Sequence, residues 1–191
     1  MEFIAVLLLT GSITLYIRYR IWRGDGVFQA ERDRERLSEG IRLIDKKLYN
    51  EAFAYFDAIL AKEPRCALAL ACRGRCHLIM GNWFHAIADC NRAGGFDHNQ
   101  DTIYLDKGVA LFRLGEIRDA FVQFDKAVWY FNVSARPNAE AYRWRGVTRL
   151  QLGQYTKAEK DFRRAVDLGD EHAIYFLSMR GDSLDAVEIE G

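Results

Sequence analysis

The 191-residue sequence predicts an all-α protein that is built from one unit repeated along the chain. Only two prolines, Pro64 and Pro137, interrupt it, which favours long helices over short strands joined by turns. Half of the residues are hydrophobic and 28% are charged, a composition typical of a folded chain rather than a disordered one. A set of small and large residues also recurs at an interval of 34 residues, which is the strongest of these observations.

Glycine marks the repeat most clearly. Gly40, Gly74 and Gly108 follow one another at intervals of 34 residues, and Gly146 follows after 38. An alanine lies 12 residues after each glycine, and a phenylalanine or a cysteine lies four residues beyond that alanine. These positions are Ala52, Ala86, Ala120 and Ala158, followed by Phe56, Cys90, Phe124 and Phe162. We expect the glycines to let two helices approach closely, while the large side chains fill the space between hairpins.

This pattern resembles the tetratricopeptide repeat, a helix-turn-helix unit of about 34 residues. The resemblance implies a right-handed α-α superhelix of about four stacked hairpins, since one hairpin cannot bury its apolar face alone. The repeats occupy residues 33–66, 67–100, 101–134 and 139–172. Residues 135–138 are then an insertion, which explains the longer third interval. Gly81, Gly115 and Gly153 are expected to end the first helix of their hairpins.

The end of the array predicts a cap and a tail. Residues 171–180 are expected to form a capping helix that lies on the last repeat. The residues spaced to make that contact are Ala173, Phe176, Leu177 and Arg180. Residues 181–191 carry four acidic side chains and no basic one, so we expect an acidic tail that is not a site.

The N-terminal residues predict a transmembrane anchor over 1–23. No charged side chain occurs from residue 3 to residue 17, and a helix over 3–22 would be roughly 30 Å long, the thickness of the hydrocarbon core. Residues 24–32, which begin with a Gly-Asp-Gly sequence, would then be a linker. Two other interpretations stay open, namely a cleaved signal peptide and a buried helix of a soluble domain.

The charges beside the apolar run predict its orientation. Arg18, Arg20 and Arg23 follow it, whereas the preceding residues carry only the amino terminus and Glu2. By the positive-inside rule, the repeats face the cytoplasm. The four cysteines agree with a reducing compartment, because a domain of this size needs no disulfides. The expected localisation is therefore a single-pass membrane protein with a cytoplasmic repeat domain.

Two arginines predict structural ion pairs within their repeats. Arg73 and Arg145 stand directly before their repeat glycines, and Asp89 and Asp161 follow 16 residues later in each case. In an antiparallel hairpin these positions lie close together, and the planar guanidinium group suits a carboxylate. In the third repeat, Lys107 occupies the position of the arginine and Gln123 the position of the aspartate, so that repeat is expected to lack the ion pair.

The resemblance also implies a concave groove lined by the first helix of each repeat. The residues expected to bind a peptide there are Arg75, Leu105, Val109, Phe112, Arg113, Arg143 and Val147. Leu37 and Ile41 stand where relatives that bind a C-terminal carboxylate carry lysine and asparagine, so binding of that kind is not expected. An alternative is that some of these side chains pack between helices or are covered by the linker around Val27 and Phe28.

The groove predicts a partner segment that is apolar with acidic flanks. The sequence thus favours a membrane-tethered scaffold or adaptor that binds a peptide of another protein, with the membrane itself contacted through residues 3–22. The first alternative is a structural component of a membrane complex that forms a homo-oligomer through its own repeats.

The sequence motifs do not indicate catalysis or cofactor binding. Phosphate-binding glycine loops, zinc-protease histidine pairs and serine elbows are missing, so we expect neither an enzyme nor a cofactor nor a metal. The net charge of zero also argues against nucleic acid as a partner. A remote alternative is a redox or metal protein that uses Cys72, Cys76 and His77, although their spacing has one residue too many for haem attachment.

Overall fold

The computed structural model describes residues 31–97 and 101–178, and within these ranges the chain forms helices joined by short turns. Four consecutive hairpins account for most of it. Their helices are α1 (Ser38–Asp45), α2 (Tyr49–Lys62), α3 (Ala67–Ile79), α4 (Trp83–Phe96), α5 (Asp101–Arg113), α6 (Ile117–Val133), α7 (Ala139–Gln151) and α8 (Tyr155–Asp167). Residues 31–36 and 172–178 are helical as well.

The hairpins stack in chain order. The two helices of each hairpin pack against each other, and the second helix of one hairpin packs on the first helix of the next. The first helices also contact one another directly, α3 with α5 and α5 with α7. Each hairpin thus buries its apolar face against its neighbours, as in a solenoid. The prediction of an all-helical, tetratricopeptide-like stack is confirmed for the described residues.

Close approach of the paired helices explains the repeat glycines. A Cβ atom placed on Gly108 would lie 2.6 Å from Cε1 of Phe124, and one placed on Gly146 would lie 2.8 Å from Cε1 of Phe162. Both phenylalanines are essentially fully buried. The glycine and the large side chain are therefore two halves of one contact, which is why they recur together.

The turns between paired helices adopt a left-handed conformation. The φ angles of Gly81, Gly115 and Gly153 are 80°, 84° and 71°. In the first hairpin the same position is held by Lys47, whose φ of 61° is a conformation that side chains disfavour. The first turn consequently carries strain that the other three hairpins avoid.

Replacing Lys47 with glycine is expected to stabilise the protein. The left-handed conformation costs a non-glycine residue roughly 1–2 kcal/mol. Glycine also gives the unfolded chain more conformational freedom, which reduces the benefit, so we expect a net gain in stability of about 1 kcal/mol. Lys47 is exposed, so little packing is lost. Urea unfolding of the two proteins measures the difference, and a lower midpoint for Lys47→Gly would contradict the assignment of the turn.

The insertion lies between the third and fourth hairpins. Helix α6 continues to Val133 and is 17 residues long, compared with 14 for α2 and α4. Asn138 then begins the fourth hairpin, because its side-chain oxygen accepts a hydrogen bond of 2.9 Å from the amide of Ala141. The extra residues are thus used to lengthen the second helix of the third repeat before Pro137.

The far end of the stack is covered by residues 172–178. Ala173 is fully buried, and the ring of Phe176 stacks on that of Phe162 with centroids 4.9 Å apart. The predicted capping helix is therefore present as far as the described residues extend. The predicted anchor, the acidic tail and Arg180 lie outside them. Among the helices of the described residues, none has the length and hydrophobicity needed to span a bilayer.

Candidate peptide-binding site

An open cavity of about 560 Å³ lies along the first helices of the hairpins. Its walls come from α1, α3, the first turn of α4, α5 and the start of α7. The residues that line this cavity are Ile44, Arg75, Leu78, Ile79, Gly81, Trp83, Asp106, Val109, Arg113 and Glu140. The cavity is partly apolar with a small number of charged groups, which is the usual character of a binding site.

Three of the predicted groove residues line this cavity, namely Arg75, Val109 and Arg113. The prediction for Leu105 is wrong, because its side chain is 1% exposed and packs with Phe124 in the core. Leu105 precedes Gly108 by three residues, so both lie on the face of α5 that turns toward α6. Leu37, which the resemblance places in the groove of the first repeat, is also fully buried and packs in the core with Phe56.

Phe112 and Val147 contribute to packing between helices. The ring of Phe112 meets Trp144 of the next hairpin edge-on, with centroids 5.3 Å apart. Val147 is partly buried against the cluster that contains Phe162. Neither residue lines the cavity. The alternative that some predicted groove residues pack between helices therefore applies to both.

The arginines of the site are mostly engaged by carboxylates of the same chain. Arg75 contacts Asp106 at 3.1 Å, and the Nε atom of Arg143 lies 2.7 Å from Asp170, whose side chain is 7% exposed. Arg143 thus ties α7 to the turn before the cap and does not line the cavity. Arg113 lies over the ring of Trp144, 5.8 Å from its centroid.

The carboxylates of the cavity are not among the residues predicted from the sequence. Asp106 is 4% exposed, and burial raises its pKa while the charge of Arg75 opposes that shift. The nearby charge of Glu140 also raises the pKa of Asp106. One signal was available: Asp106 interrupts the apolar residues of α5, and a buried acid in such a position needs a partner.

The predicted structural ion pairs are present. Arg73 donates to both carboxylate oxygens of Asp89, at 2.7 and 2.8 Å. Arg145 does the same to Asp161, at 3.0 and 2.8 Å. Both aspartates have side chains only 5% exposed. These geometries are the two-pronged pairing that favours arginine at such positions.

Each of these arginines also reaches the preceding hairpin, a contact that was not predicted from the sequence. Nη1 of Arg73 donates to Asp57 at 2.6 Å, and Nη1 of Arg145 donates to Asp125 at 2.7 Å. One guanidinium group therefore links three helices. In the third repeat Lys107 donates instead to Asn91, which occupies the position equivalent to Asp57, at 2.6 Å.

Replacing Asn91 with aspartate is expected to strengthen this link. The hydrogen bond to Lys107 would become an ion pair near the surface, worth roughly 0.2–1 kcal/mol. The gain should shrink at high salt, because exposed charges are screened. Urea unfolding at low and high salt tests this expectation, and the same gain in a Lys107→Gln background would rule out the ion pair as its cause.

The cysteine and histidine cluster has the properties of a packed interior. Burial raises the pKa of the Cys72 thiol to about 12 and that of Cys76 to about 11, so both thiols are protonated at neutral pH. The ring of His77 lies between Phe53 and His85, at 5.0 and 5.1 Å. Within the described ranges no three histidine, cysteine or acidic side chains are grouped to hold a metal ion. Protonated buried thiols are poor nucleophiles, which argues against the redox alternative.

Comparison with known proteins supports the repeat class. Residues 104–173 match the model of the tetratricopeptide repeat family. The chain is 26% identical over 148 residues to human tetratricopeptide repeat protein 13, a match that covers 75% of this chain. It spans only 17% of the length of that relative.

Solved structures with the same fold cover about two thirds of this chain. MamA 41-end from Desulfovibrio magneticus RS-1 superposes with a TM-score of 0.59 and 17% identity, covering 69% of this chain and 72% of that one. The first repeat domain of Spaghetti (RPAP3), bound to an HSP90 peptide, gives a TM-score of 0.56 and 24% identity over 62% and 93% of the two chains. The described residues therefore form a helical solenoid with the fold of tetratricopeptide repeat proteins.

Proposed function

We propose that the protein is a scaffold or adaptor that binds a segment of a partner protein in the cavity. The carrying observation is the cavity itself, which is open, about 560 Å³ in volume and formed by three consecutive hairpins and the start of a fourth. Ile79 is 45% exposed on its wall, beside Trp83 and Val109. Exposed apolar side chains in a concave site are the usual anchors of a peptide.

A solenoid of the same fold supports the mode of binding. The first repeat domain of Spaghetti (RPAP3) has been solved with a bound HSP90 peptide. The partner of the present chain would differ in chemistry, because Ile41 stands where relatives that hold a terminal carboxylate carry a polar residue. The acidic flanks expected from the sequence would depend on Arg113 alone, since Arg75 and Arg143 are engaged by Asp106 and Asp170.

The proposal includes membrane tethering. The apolar residues 3–22 would anchor the chain, and the arginines that follow them would keep the repeats on the cytoplasmic side. Protease added outside intact cells or vesicles should leave the repeats whole. Digestion from outside, or recovery of the full-length chain in the soluble fraction, would disprove this part. No catalytic role is proposed.

One matched pair of variants tests the site. Ile79 and Val122 are 45% and 46% exposed, and only Ile79 lines the cavity. Proteins crosslinked to the wild-type chain in native membranes should be lost in Ile79→Glu and retained in Val122→Glu. Thermal melts check that both variants stay folded. Equal capture by Ile79→Glu would show that binding occurs elsewhere on the molecule.

Self-association is the second candidate, and one surface favours it. Trp129 and Val133 are 58% and 61% exposed at the end of the lengthened helix α6, away from the cavity. A concentration-dependent mass in light scattering of the full chain in detergent, abolished by Trp129→Glu, would support an oligomer. A monomeric wild-type chain over the whole concentration range would dismiss it.

A further inference from the structure

The ion pair at the floor of the cavity differs from the structural pairs. In the pairs of Arg73 with Asp89 and of Arg145 with Asp161, the guanidinium group engages both carboxylate oxygens. Arg75 instead directs both Nε and Nη2 to a single oxygen, Oδ1 of Asp106, at 3.2 and 3.1 Å. In the described part of the chain the hydrogen bonds to Asp106 all end on Oδ1. Its second oxygen, Oδ2, is therefore available to another donor.

This available oxygen is reached from the cavity. The Asp106 side chain is 6% exposed, and the residue lines the cavity. Over residues 31–97 and 101–178, the side-chain atoms that are both sealed from solvent and without a hydrogen bond are His77 Nδ1 and Arg149 Nε. Because Oδ2 is not among them, solvent in the cavity reaches it. A donor from a partner can therefore replace solvent at this oxygen and form a charge-assisted hydrogen bond with a carboxylate that is otherwise buried.

A second carboxylate lies at the same end of the cavity. The side chain of Glu140 is 47% exposed and accepts a hydrogen bond of 3.2 Å from the indole of Trp144. Its closest arginine, Arg143, lies 3.7 Å away and is bound more tightly to Asp170. Since the charge of Arg75 is matched by Asp106, Glu140 is the carboxylate of the cavity that is left without a close arginine of its own. Arg113, the other charged residue that lines the cavity, lies over the ring of Trp144.

We propose that the cavity recognises a basic side chain of the partner segment. The lysine or arginine would donate to Oδ2 of Asp106 and to Glu140, and an adjacent apolar residue would contact Ile79 and Trp83. The proposal rests on the proposed function, since it specifies the chemistry of a peptide bound in the cavity. It replaces the expectation of acidic flanks, because the positive charges that motivated them are already paired or lie over Trp144.

Selection from random peptides displayed on phage tests the charge of the ligand. The target is the full chain in detergent micelles, and the selected peptides are then synthesised for titration. Peptides that depend on the cavity, judged by loss of binding to Ile79→Glu, should share a lysine or arginine beside an apolar residue. Asp106→Asn and Glu140→Gln should each weaken binding about tenfold, since a hydrogen bond to a charged group is lost. Asp57→Asn removes an exposed carboxylate outside the cavity and should leave binding unchanged.

Each outcome decides between the two proposals. Cavity-dependent peptides that share acidic or only uncharged residues would overturn recognition of a basic side chain and leave peptide binding in the cavity intact. Peptides that bind Ile79→Glu as well as the wild-type chain, or no enrichment at all, would overturn both. If Asp106→Asn does not fold, the test depends on Glu140→Gln and on a charge exchange. In that exchange, Glu140→Lys is titrated with a peptide whose basic residue has been replaced by glutamate. Restored binding in that exchange is expected.

Discussion

Replacing Asp161 with alanine is expected to lower the free energy of unfolding by roughly 3–5 kcal/mol. Its carboxylate accepts hydrogen bonds from Arg145 at 3.0 and 2.8 Å and from Arg149 at 2.6 Å. The two arginine side chains are only 14% and 15% exposed, so the substitution would leave both guanidinium groups without their buried partner. The ion pairs of Asp161 contribute less to stability than this decrease, because most of the decrease is the cost of leaving two arginine charges buried without a carboxylate.

Asp125 provides the matched control. It also binds Arg145, at 2.7 Å, but its side chain is 55% exposed. Asp125→Ala should therefore cost no more than about 1 kcal/mol, the usual range for a surface pair. Urea unfolding followed by circular dichroism measures both variants. Similar losses for Asp125→Ala and Asp161→Ala would show that burial does not set the strength of these links.

Gly108→Leu is expected to be the most damaging change in the packing of a single hairpin. Its Cβ alone would lie 2.6 Å from Cε1 and 2.7 Å from Cδ1 of Phe124, which is fully buried. Overpacking of this kind typically costs roughly 1–3 kcal/mol, and the larger side chain of leucine places the result at or above the upper end. The loss should spread to the neighbouring hairpins, because their stability depends on contact with the third.

A substitution at a second glycine distinguishes the effect of a steric clash from the general effect of replacing a helical glycine. Gly95 lies in α4, and a Cβ placed on it would meet no atom within 4 Å. Gly95→Ala should raise stability by about 0.5–1 kcal/mol, since alanine is the better helix former. Thermal melts of the two variants should therefore shift in opposite directions. An unchanged melting temperature for Gly108→Leu would mean that the repeat register is wrong.

The repeats could be predicted because one physical constraint fixes several residues at once. Gly108 of α5 lies against Phe124 of α6, and the close contact needs a glycine on one helix and a large side chain on the other. The spacing of the two residues therefore predicts the register of α5 against α6. The same register predicted the pairs of Arg73 with Asp89 and of Arg145 with Asp161. Contacts inside one hairpin are thus encoded by spacing along the chain.

The cavity could be predicted only in part, because it depends on contacts between hairpins. Val109 was placed correctly, whereas Leu105, one helical turn earlier, faces the core. The pairing of Arg75 with Asp106 joins residues 31 positions apart in different hairpins, and no repeated spacing signals it. The angle between successive hairpins decides which side chains meet there, and that angle is set by many contacts together.

The links between hairpins have a mechanical consequence. Arg73 and Arg145 join neighbouring hairpins through their second helices, α2 with α4 and α6 with α8. At the middle junction the ion pair is that of Arg75 with Asp106, which joins the first helices, while Lys107 is hydrogen-bonded to Asn91 of the second helix α4. The two outer junctions are thus tied by ion pairs on the side of the second helices, and the middle junction is tied by an ion pair on the side of the first helices. Under the proposal above, a basic side chain bound at Asp106 would contact the middle junction, so binding would bear directly on the contact that holds the two central hairpins together.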